Sequence, residues 1–395
     1  MKVEPRTLKG FRDFLPKDAR KRQFVINTLR SVFESYGFEP LETPTLEYED
    51  ILLGKYGEEG DKLMYRFMDN GRRNVALRYD QTVPLARVVA QYQNDLPFPF
   101  KRYQIQNVWR ADNTQRGRFR EFLQCDIDTV GEKSIGSDTE IVQVIDTCLK
   151  KLGFSGFKIL INDRANFDGV SPSTIQTIDK LKKIGEEGVR QELKEKGLDE
   201  NLLSEIQDKQ PTELIQILLN NKNFVGENVQ YEPTLARGLD YYTGLIIEVE
   251  IEGFDVGSIG GGGRYDKLIG MFGNQDIPAV GFAFGFDRLL EAMEEKGLFP
   301  SNLATTKVLV AVPSLELGDK SIAISSQLRS NNINCEVYLN SSAPLEKQFK
   351  YAEKKGIPYV VIPQNETEVE LRWKNENGEI EKKTVSIEQL IEQLT

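Results

Sequence analysis

Residues 108–130, VWRADNTQRGRFREFLQCDIDTV, carry the chain's most concentrated set of groups that could do chemistry. VWR would end one strand, ADNTQRG would form a loop, and RFREFLQCD would return as a second strand. Arg110, Arg118 and Arg120 with Phe122 could then hold a polyphosphate and stack a base. A solvated basic hairpin accounts for the arginines alone equally well. The residues that follow tilt the balance. Two-residue periodicity places Arg118, Arg120, Phe122, Gln124, Asp126 and Asp128 on one face of the returning strand. If buried, such a face is too polar for a core and must line a cleft.

Four further stretches surround it. In LRYDQTVPLAR (77–87), Asp80 and Thr82 directly follow a strand and could grip an ammonium group; a helix N-terminus with Pro84 in its first turn explains them as well. ARGLDYYTG (236–244) sets Arg237 four positions before the adjacent Tyr241 and Tyr242, on what reads as a strand. SIGGGGRYD (258–266) contains four consecutive glycines, which allow close backbone approach or a turn, the turn being the default. AVGFAFGFDRLLEAM (279–293) reads as a glycine-punctuated strand entering a helix, with Arg288 in its first turn.

What the chain lacks narrows the chemistry. It has no histidine, which excludes Ser-His-Asp and Cys-His catalysis. Cys125, Cys148 and Cys335 are far apart in sequence, so no metal site of the Cys/His kind is expected, and buried reduced thiols are. Arg, Lys, Asp, Glu, Tyr and a bound metal remain. The net charge of −10 opposes nonspecific nucleic-acid binding, but residues 101–120 hold six Lys/Arg against one Asp, a local basic segment. No run approaches the roughly 20 apolar residues of a membrane span, and MKVEPRTLKGFRDFLP has no apolar signal core. A cytosolic protein is the expectation.

The elements that must position these groups follow from periodicity. Phe24, Val25, Leu29, Val32 and Phe33 recur at helical spacing within 18–37. Strands are expected at 75–78, 101–110, 118–130, 235–251 and 254–260. Between Asp163 and about Tyr231 the chain turns Lys/Glu/Leu-rich and helical, as an inserted subdomain would. Beyond Pro300, VLVAVPS, a helix at 317–331, NCEVYL, a helix at 343–355 and PYVVIP alternate as a small parallel α/β domain, closed by a hairpin at Asn377-Gly378. Neither a dinucleotide-type glycine loop nor the G-x-x-x-x-G-K-[ST] loop is present.

Taken together, these segments resemble the histidyl-tRNA synthetases, class II aminoacyl-tRNA synthetases, from end to end. GFEPLETPTLE, with Pro44, is similar to motif 1, VWRADNTQRGRFREF to motif 2, and AVGFAFGFDRLL to motif 3. RGLDYYTG, SIGGGGRYD and DQT resemble the histidine branch of that class. The resemblance implies an α+β fold: an antiparallel sheet flanked by helices over residues 1–304, with a helical insertion at about 164–230, and an α/β anticodon-binding domain over 305–395. It implies activation of L-histidine by ATP with Mg²⁺, transfer to tRNA(His), and a homodimer.

Residue roles come with the same resemblance. Arg110 would contact the α-phosphate of ATP, Phe122 would stack on adenine, and Arg118 and Arg288 would hold the outer phosphates. Arg237 would lie beside the α-phosphate; it and Arg110 are the expected catalytic residues and border the histidine as well. Asp80, Gln81, Thr82 and Gln124 would hold the ammonium and carboxylate end. Asp128 and Tyr242 would bond the two imidazole nitrogens, with Tyr241 and Tyr265 shaping the pocket. Two features depart from the pattern: Asp112 stands where many class II enzymes have glutamate, and residues 305–395 hold eleven Lys/Arg against thirteen Asp/Glu, so anticodon binding would rest on a local patch. The alternative is a catalytically silent, histidine-sensing regulatory paralogue acting on ATP phosphoribosyltransferase, which would lose phosphate-binding arginines and usually the C-terminal domain.

Overall fold

The computed structural model describes residues 3–221, 226–236, 241–273, 275–365, 367–375 and 377–395. They fall into two compact units: one runs to Phe14 and resumes at Arg22–Phe299, and the other takes Leu15–Lys21 with Pro300–Thr395.

The first unit contains β1 (Glu39–Pro40), β2 (Leu46–Tyr48), β3 (Arg66–Met68), β4 (Asn74–Leu77), β5 (Phe100–Trp109), β6 (Glu121–Val130), β7 (Phe157–Asp163), β8 (Val229–Tyr231), β9 (Leu245–Ile251), β10 (Gly260–Arg264) and β11 (Ala279–Gly285). Eight of them form one sheet in the order β1-β5-β6-β11-β10-β9-β7-β8, and β2, β4 and β3 form a smaller one. The large sheet is antiparallel from β5 to β7, and its outer pairs β1–β5 and β7–β8 are parallel.

Alternation decides which way the large sheet faces. Tyr103, Leu123, Cys125, Ile127, Phe282 and Phe284 point into a core shared with Val25, Leu29, Val32 and Phe33 of the helix Pro16–Ser35. Ile141, Val142, Ile145 and Leu149 of the helix Ile135–Lys151 complete it. Each fully buried large apolar side chain contributes about 1.5–3 kcal/mol. The sheet is therefore fastened from this side, and its other side is free to be polar.

On that second side the register brings three rows together. Arg102, Gln104 and Gln106 of β5 lie opposite Asp128, Asp126 and Gln124 of β6, which in turn lie opposite Gly281, Ala283 and Gly285 of β11. Gly263 and Gly261 of β10 extend the first two rows. Charged and amide side chains thus give way to bare backbone across four strands, leaving space above the glycines.

Three expectations change. The four-glycine run is the central strand β10 and not a turn, because its neighbours need the room. A Cβ on Gly262 would stand 2.1 Å from the Gly281 carbonyl oxygen, and one on Gly263 would stand 2.2 Å from that of Leu245. Next, β6 begins only at Glu121. Arg118 closes a tight turn with Gln115 and is exposed, while the Arg120 amide donates to the Gly10 carbonyl at 2.9 Å, so neither arginine shares the polar face. Last, β9 begins at Leu245 and β10 at Gly260, so Tyr241 and Tyr242 lie ahead of a strand, and 254–259 are not a strand.

Helices Pro172–Ile178, Leu181–Glu195, Leu202–Gln207 and Glu213–Asn220 fill the insertion. Phe167, Ile175, Ile178, Val189, Leu193, Leu203 and Ile206 pack there against Leu160 and Ile246 of the sheet. Ser171 caps the first of these helices, accepting from the Thr174 amide at 3.2 Å, with Pro172 following at the first helical position.

The second unit orders β12 (Val308–Val310), β13 (Cys335–Val337), β14 (Tyr359–Pro363), β15 (Glu368–Lys374) and β16 (Ile380–Ser386) as β13-β12-β14-β15-β16. Its first three strands are parallel and the last two antiparallel, with Gly378 at φ 80° in the final hairpin.

Gly281→Ala tests the glycine floor. Its Cβ would stand 1.9 Å from the Asp128 Oδ1 and 2.6 Å from the Ile127 carbonyl oxygen. Overpacking of this kind costs about 1–3 kcal/mol. Chemical denaturation should show a loss in that range; unchanged stability would mean that the floor is not close-packed.

Candidate active site

The polar face of β5 and β6 is buried at Arg102, Gln104, Asp126 and Asp128 and half-buried at Gln106 and Gln124. Arg102 is fully buried and pairs with Asp128, Nη2 to Oδ2, at 2.6 Å. Its Nη1 donates to Gln104 Oε1 at 3.3 Å. Gln104 in turn donates to Thr43 Oγ1 at 2.9 Å and to Gln106 Oε1 at 2.6 Å. Arg78, also buried, donates to the Thr43 carbonyl, to Gln106 Oε1 and to the Asn107 carbonyl. The polar row is thereby fixed from behind by an arginine at each end.

Asp128 takes a second partner from the other side of the cleft. The Tyr265 hydroxyl donates to its Oδ1. Burial raises the Asp128 carboxyl to about 6, against the opposing pull of Arg102 and Tyr265. Burial and the neighbouring carboxylate hold the Tyr265 hydroxyl well above its ordinary range, so it donates throughout the working pH range. Tyr242 is buried, and its ring lies where a Cβ on Gly263 would meet it at 2.9 Å. Tyr241 stands between the two, with ring centroids 4.9 Å from Tyr242 and 6.0 Å from Tyr265. Arg237 lies outside the described residues.

A second group forms at the mouth of the helix Thr82–Gln91. Asp80 accepts at Oδ1 from the Tyr56 hydroxyl at 2.8 Å and from the Val83 amide at 3.1 Å. This aspartate anchors the first turn, as the reading of a helix N-terminus expects, and it is a buried carboxylate whose pKa burial raises. Gln81 donates to the Gln106 carbonyl at 2.8 Å and the Gln124 carbonyl at 3.3 Å, which places it beside the end of the polar row. Thr82 is half-buried at the first helical position.

The third group carries the phosphate-type residues. Arg110 donates from Nε to the Tyr79 carbonyl at 3.0 Å, and its guanidinium lies 4.4 Å from the Tyr79 ring and 5.2 Å from the Phe122 ring. Tyr79 packs on Tyr56 at 4.6 Å, so one aromatic row links Asp80 to Arg110 and Phe122. Arg288 donates to the Ser258 carbonyl at 2.9 Å. A Cβ on Gly117 would come within 3.3 Å of its Cγ, so the loop bearing Arg118 rests on Arg288. Arg116 ties that loop to Glu291 and Glu295 of the helix Phe286–Glu295.

Comparison with known proteins fits this geometry. The family model described as histidyl-tRNA synthetase matches residues 10–170 and 161–289, and that of the anticodon binding domain matches 307–395. The chain belongs to the histidyl-tRNA synthetase family. A histidine–tRNA ligase of Christiangramia forsetii is 40% identical, with 92% of each chain covered. The crystal structure of histidyl-tRNA synthetase from Nostoc sp. PCC 7120 superposes with a TM-score of 0.85 at 30% identity, covering 100% of this chain and 99% of that one. A structure from Bacillus halodurans, described as an ATP phosphoribosyltransferase regulatory subunit/histidyl-tRNA synthetase, shares the fold at 24% identity and TM-score 0.72, covering 88% of this chain and 97% of that one.

For a member of this family, sequence reasoning overlooked Arg102, Tyr56 and Tyr79. Arg102 left a signal: Arg102, Gln104 and Gln106 alternate with Tyr103 and Ile105 on β5, the same polar period seen on β6. Tyr56 and Tyr79 left none, because their partners lie on other elements.

Asp128 yields a prediction about pH. The ordinary carboxyl value is near 3.8, so between there and about 6 the folded protein holds a proton that the unfolded chain has released. This residue's contribution to stability therefore falls as pH rises through that window. A protonated Asp128 has lost its charge and is a weaker acceptor for an imidazole N–H, so the KM for histidine should rise as pH falls through about 6. The substrate ring titrates nearby, and Asp128→Asn isolates the protein's share: its profile should lose one of the wild type's breaks. Superimposable profiles would place the titration elsewhere.

Proposed function

We propose that the cleft above the glycine floor binds histidine and ATP side by side and joins them as histidyl-adenylate. The chain is a histidine–tRNA ligase, and the observation that carries this residue assignment is the buried Asp128, held between Arg102 and Tyr265 at the closed end of the polar row. There it accepts from one imidazole nitrogen, and Tyr242 serves the other. An apolar side chain entering this pocket leaves the buried acceptors unpaired, and mispairing of that kind discriminates by about 10⁴ or more without editing.

The amino-acid carboxylate is ionised at neutral pH, so its attack on the α-phosphorus requires no general base. The carboxylate–phosphorus bond forms in line as the bond to pyrophosphate breaks. Two anions meet in this step, and fixed guanidinium groups offset their repulsion. Arg110, clamped between Tyr79 and Phe122, serves the α-phosphate with Arg237. Arg118 and Arg288 serve the outer phosphates, and Phe122 stacks on adenine. An always-protonated planar fork suits this task better than lysine. In the second step the terminal 3′-hydroxyl of tRNA(His) attacks the adenylate.

Among the described residues no group of three Asp, Glu or Cys could hold a resident metal. Mg²⁺ arriving on the phosphates of ATP suits that donor set and supplies charge neutralisation there. The domain that begins at residue 305 binds the anticodon. A homodimer is supported by Leu46, Tyr48 and Phe67, exposed on the small sheet directly after Pro44. No helix among the described residues is long and apolar enough to cross a membrane, and we place the protein in the cytoplasm.

Amino-acid-dependent ATP–pyrophosphate exchange, run with each of the twenty amino acids and no tRNA, should proceed with histidine alone. Histidine binding without exchange would instead indicate a regulatory paralogue. Arg237→Ala should lower exchange by roughly 10²–10³ while melting like the wild type. Asp128→Ala should raise the KM for histidine far more than that for ATP; equal effects would remove Asp128 from the ring-binding role.

A further inference from the structure

Arg264, the last residue of β10, is buried. Alternation turns its side chain to the face opposite Gly263 and Tyr265, toward the start of the helix Ile135–Lys151. There its guanidinium makes a two-point contact with Asp138, Nε to Oδ1 at 3.1 Å and Nη2 to Oδ2 at 2.7 Å. Nη2 also donates to Ser137 Oγ at 2.9 Å, and Nη1 donates to the Glu132 carbonyl at 3.2 Å and to Asp266 Oδ1 at 3.3 Å. Asp138 is 1% exposed and sits in the first turn of its helix, where the backbone dipole favours a carboxylate. One side chain thus joins the turn after β6, the start of a helix and the end of β10.

The same residue holds the tyrosines of the cleft from behind. Its carbonyl accepts from the Thr243 amide at 2.8 Å, and the Asp266 amide donates to Thr243 Oγ1 at 3.0 Å. The segment 241–244, with Tyr241 and Tyr242, is thereby fastened to the residues on either side of Tyr265. A Cβ on Gly244 would stand 3.2 Å from Arg264 Cδ, so the arginine stem lies against that segment as well. Asp266 Oδ1 accepts from the Ala279 amide at 3.3 Å, and the Tyr265 amide donates to the Ala279 carbonyl at 2.7 Å. Tyr265 therefore leaves the sheet with its backbone fixed at three consecutive residues, and its hydroxyl reaches Asp128 from there. Stability is a weak reason for a buried ion pair, because apolar side chains of similar volume serve such a place as well or better. What a two-point guanidinium–carboxylate contact adds is direction.

We propose that Arg264 is a positioning residue for histidine recognition: held by Asp138, it fixes the placement of Tyr265 and of the segment bearing Tyr241 and Tyr242, and through them the substrate ring. This rests on the reading of the cleft as the histidine pocket. Arg264 touches neither substrate, and its effect is confined to the ring end of the cleft.

The test removes the direction without leaving a buried charge behind. Arg264→Met combined with Asp138→Val fills about the same space with apolar groups. In ATP–pyrophosphate exchange this double variant should raise the KM for histidine about 10-fold, the size of one coupling between contacting groups, with the KM for ATP unchanged. In a Tyr265→Phe background the same pair of changes should add less than about 3-fold, because the hydroxyl that Arg264 places is already gone. Equal changes in both KM values, no change in either, or losses that multiply in full across the two backgrounds would each overturn the proposal. If the double variant fails to fold, Asp138→Asn, which keeps the volume and one acceptor, must show the same split between substrates; no split there overturns it too. Tyr265→Phe that by itself leaves the histidine KM unchanged would instead refute the reading of the pocket, a different failure.

Discussion

The pairing of Arg102 with Asp128 is the constraint on which the rest of the cleft depends. Both side chains are removed from water, and an arginine and a carboxylate moved there each cost several kcal/mol unless geometry repays it. Repayment requires the register that sets β5 against β6, which also brings Gln104 opposite Asp126 and Gln106 opposite Gln124. One ion pair therefore ties the pairing of two central strands to the presentation of a substrate-facing row. A slip of one residue would turn the row into the apolar core and leave both charges unpaired.

Space is the complement of that charge. The strands beyond β6 give up side chains on the same face, so Asp128 rests above Gly281 and Tyr242 above Gly263. Glycine is a poor strand former by itself. Here the pairing of β10 with a neighbour on each side supplies what its side chains cannot, and Phe282 and Phe284 of β11 anchor the floor in the apolar core. Stability and function are divided between the two faces of one sheet.

The phosphate-type residues follow a different logic. Arg110 is oriented by a carbonyl and by two aromatic rings, and Arg288 donates to a carbonyl of its own. Asp287, next to Arg288, engages charges: it pairs with Arg12 and Arg22, and Arg12 lies 3.2 Å from the Phe119 ring. That cluster steadies the loop that presents Arg118.

The sequence by itself determined the fold class and the order of elements, and it supplied most of the residues proposed for the site, because local periodicity and short motifs encode them. The alternating Gln124, Asp126 and Asp128 announced a polar face before any partner was known, and the lack of histidine removed whole classes of chemistry. Tertiary structure decided what depends on partners distant in the chain. Whether four glycines turn or pair is settled by β9 and β11, and where β6 begins is settled by Gly10 reaching the Arg120 amide. That Arg102 neutralises Asp128, or that Tyr265 bonds it from 137 residues away, belongs to a register and a packing that no local pattern contains. Side chains separated by such distances in sequence meet only when the sheet closes.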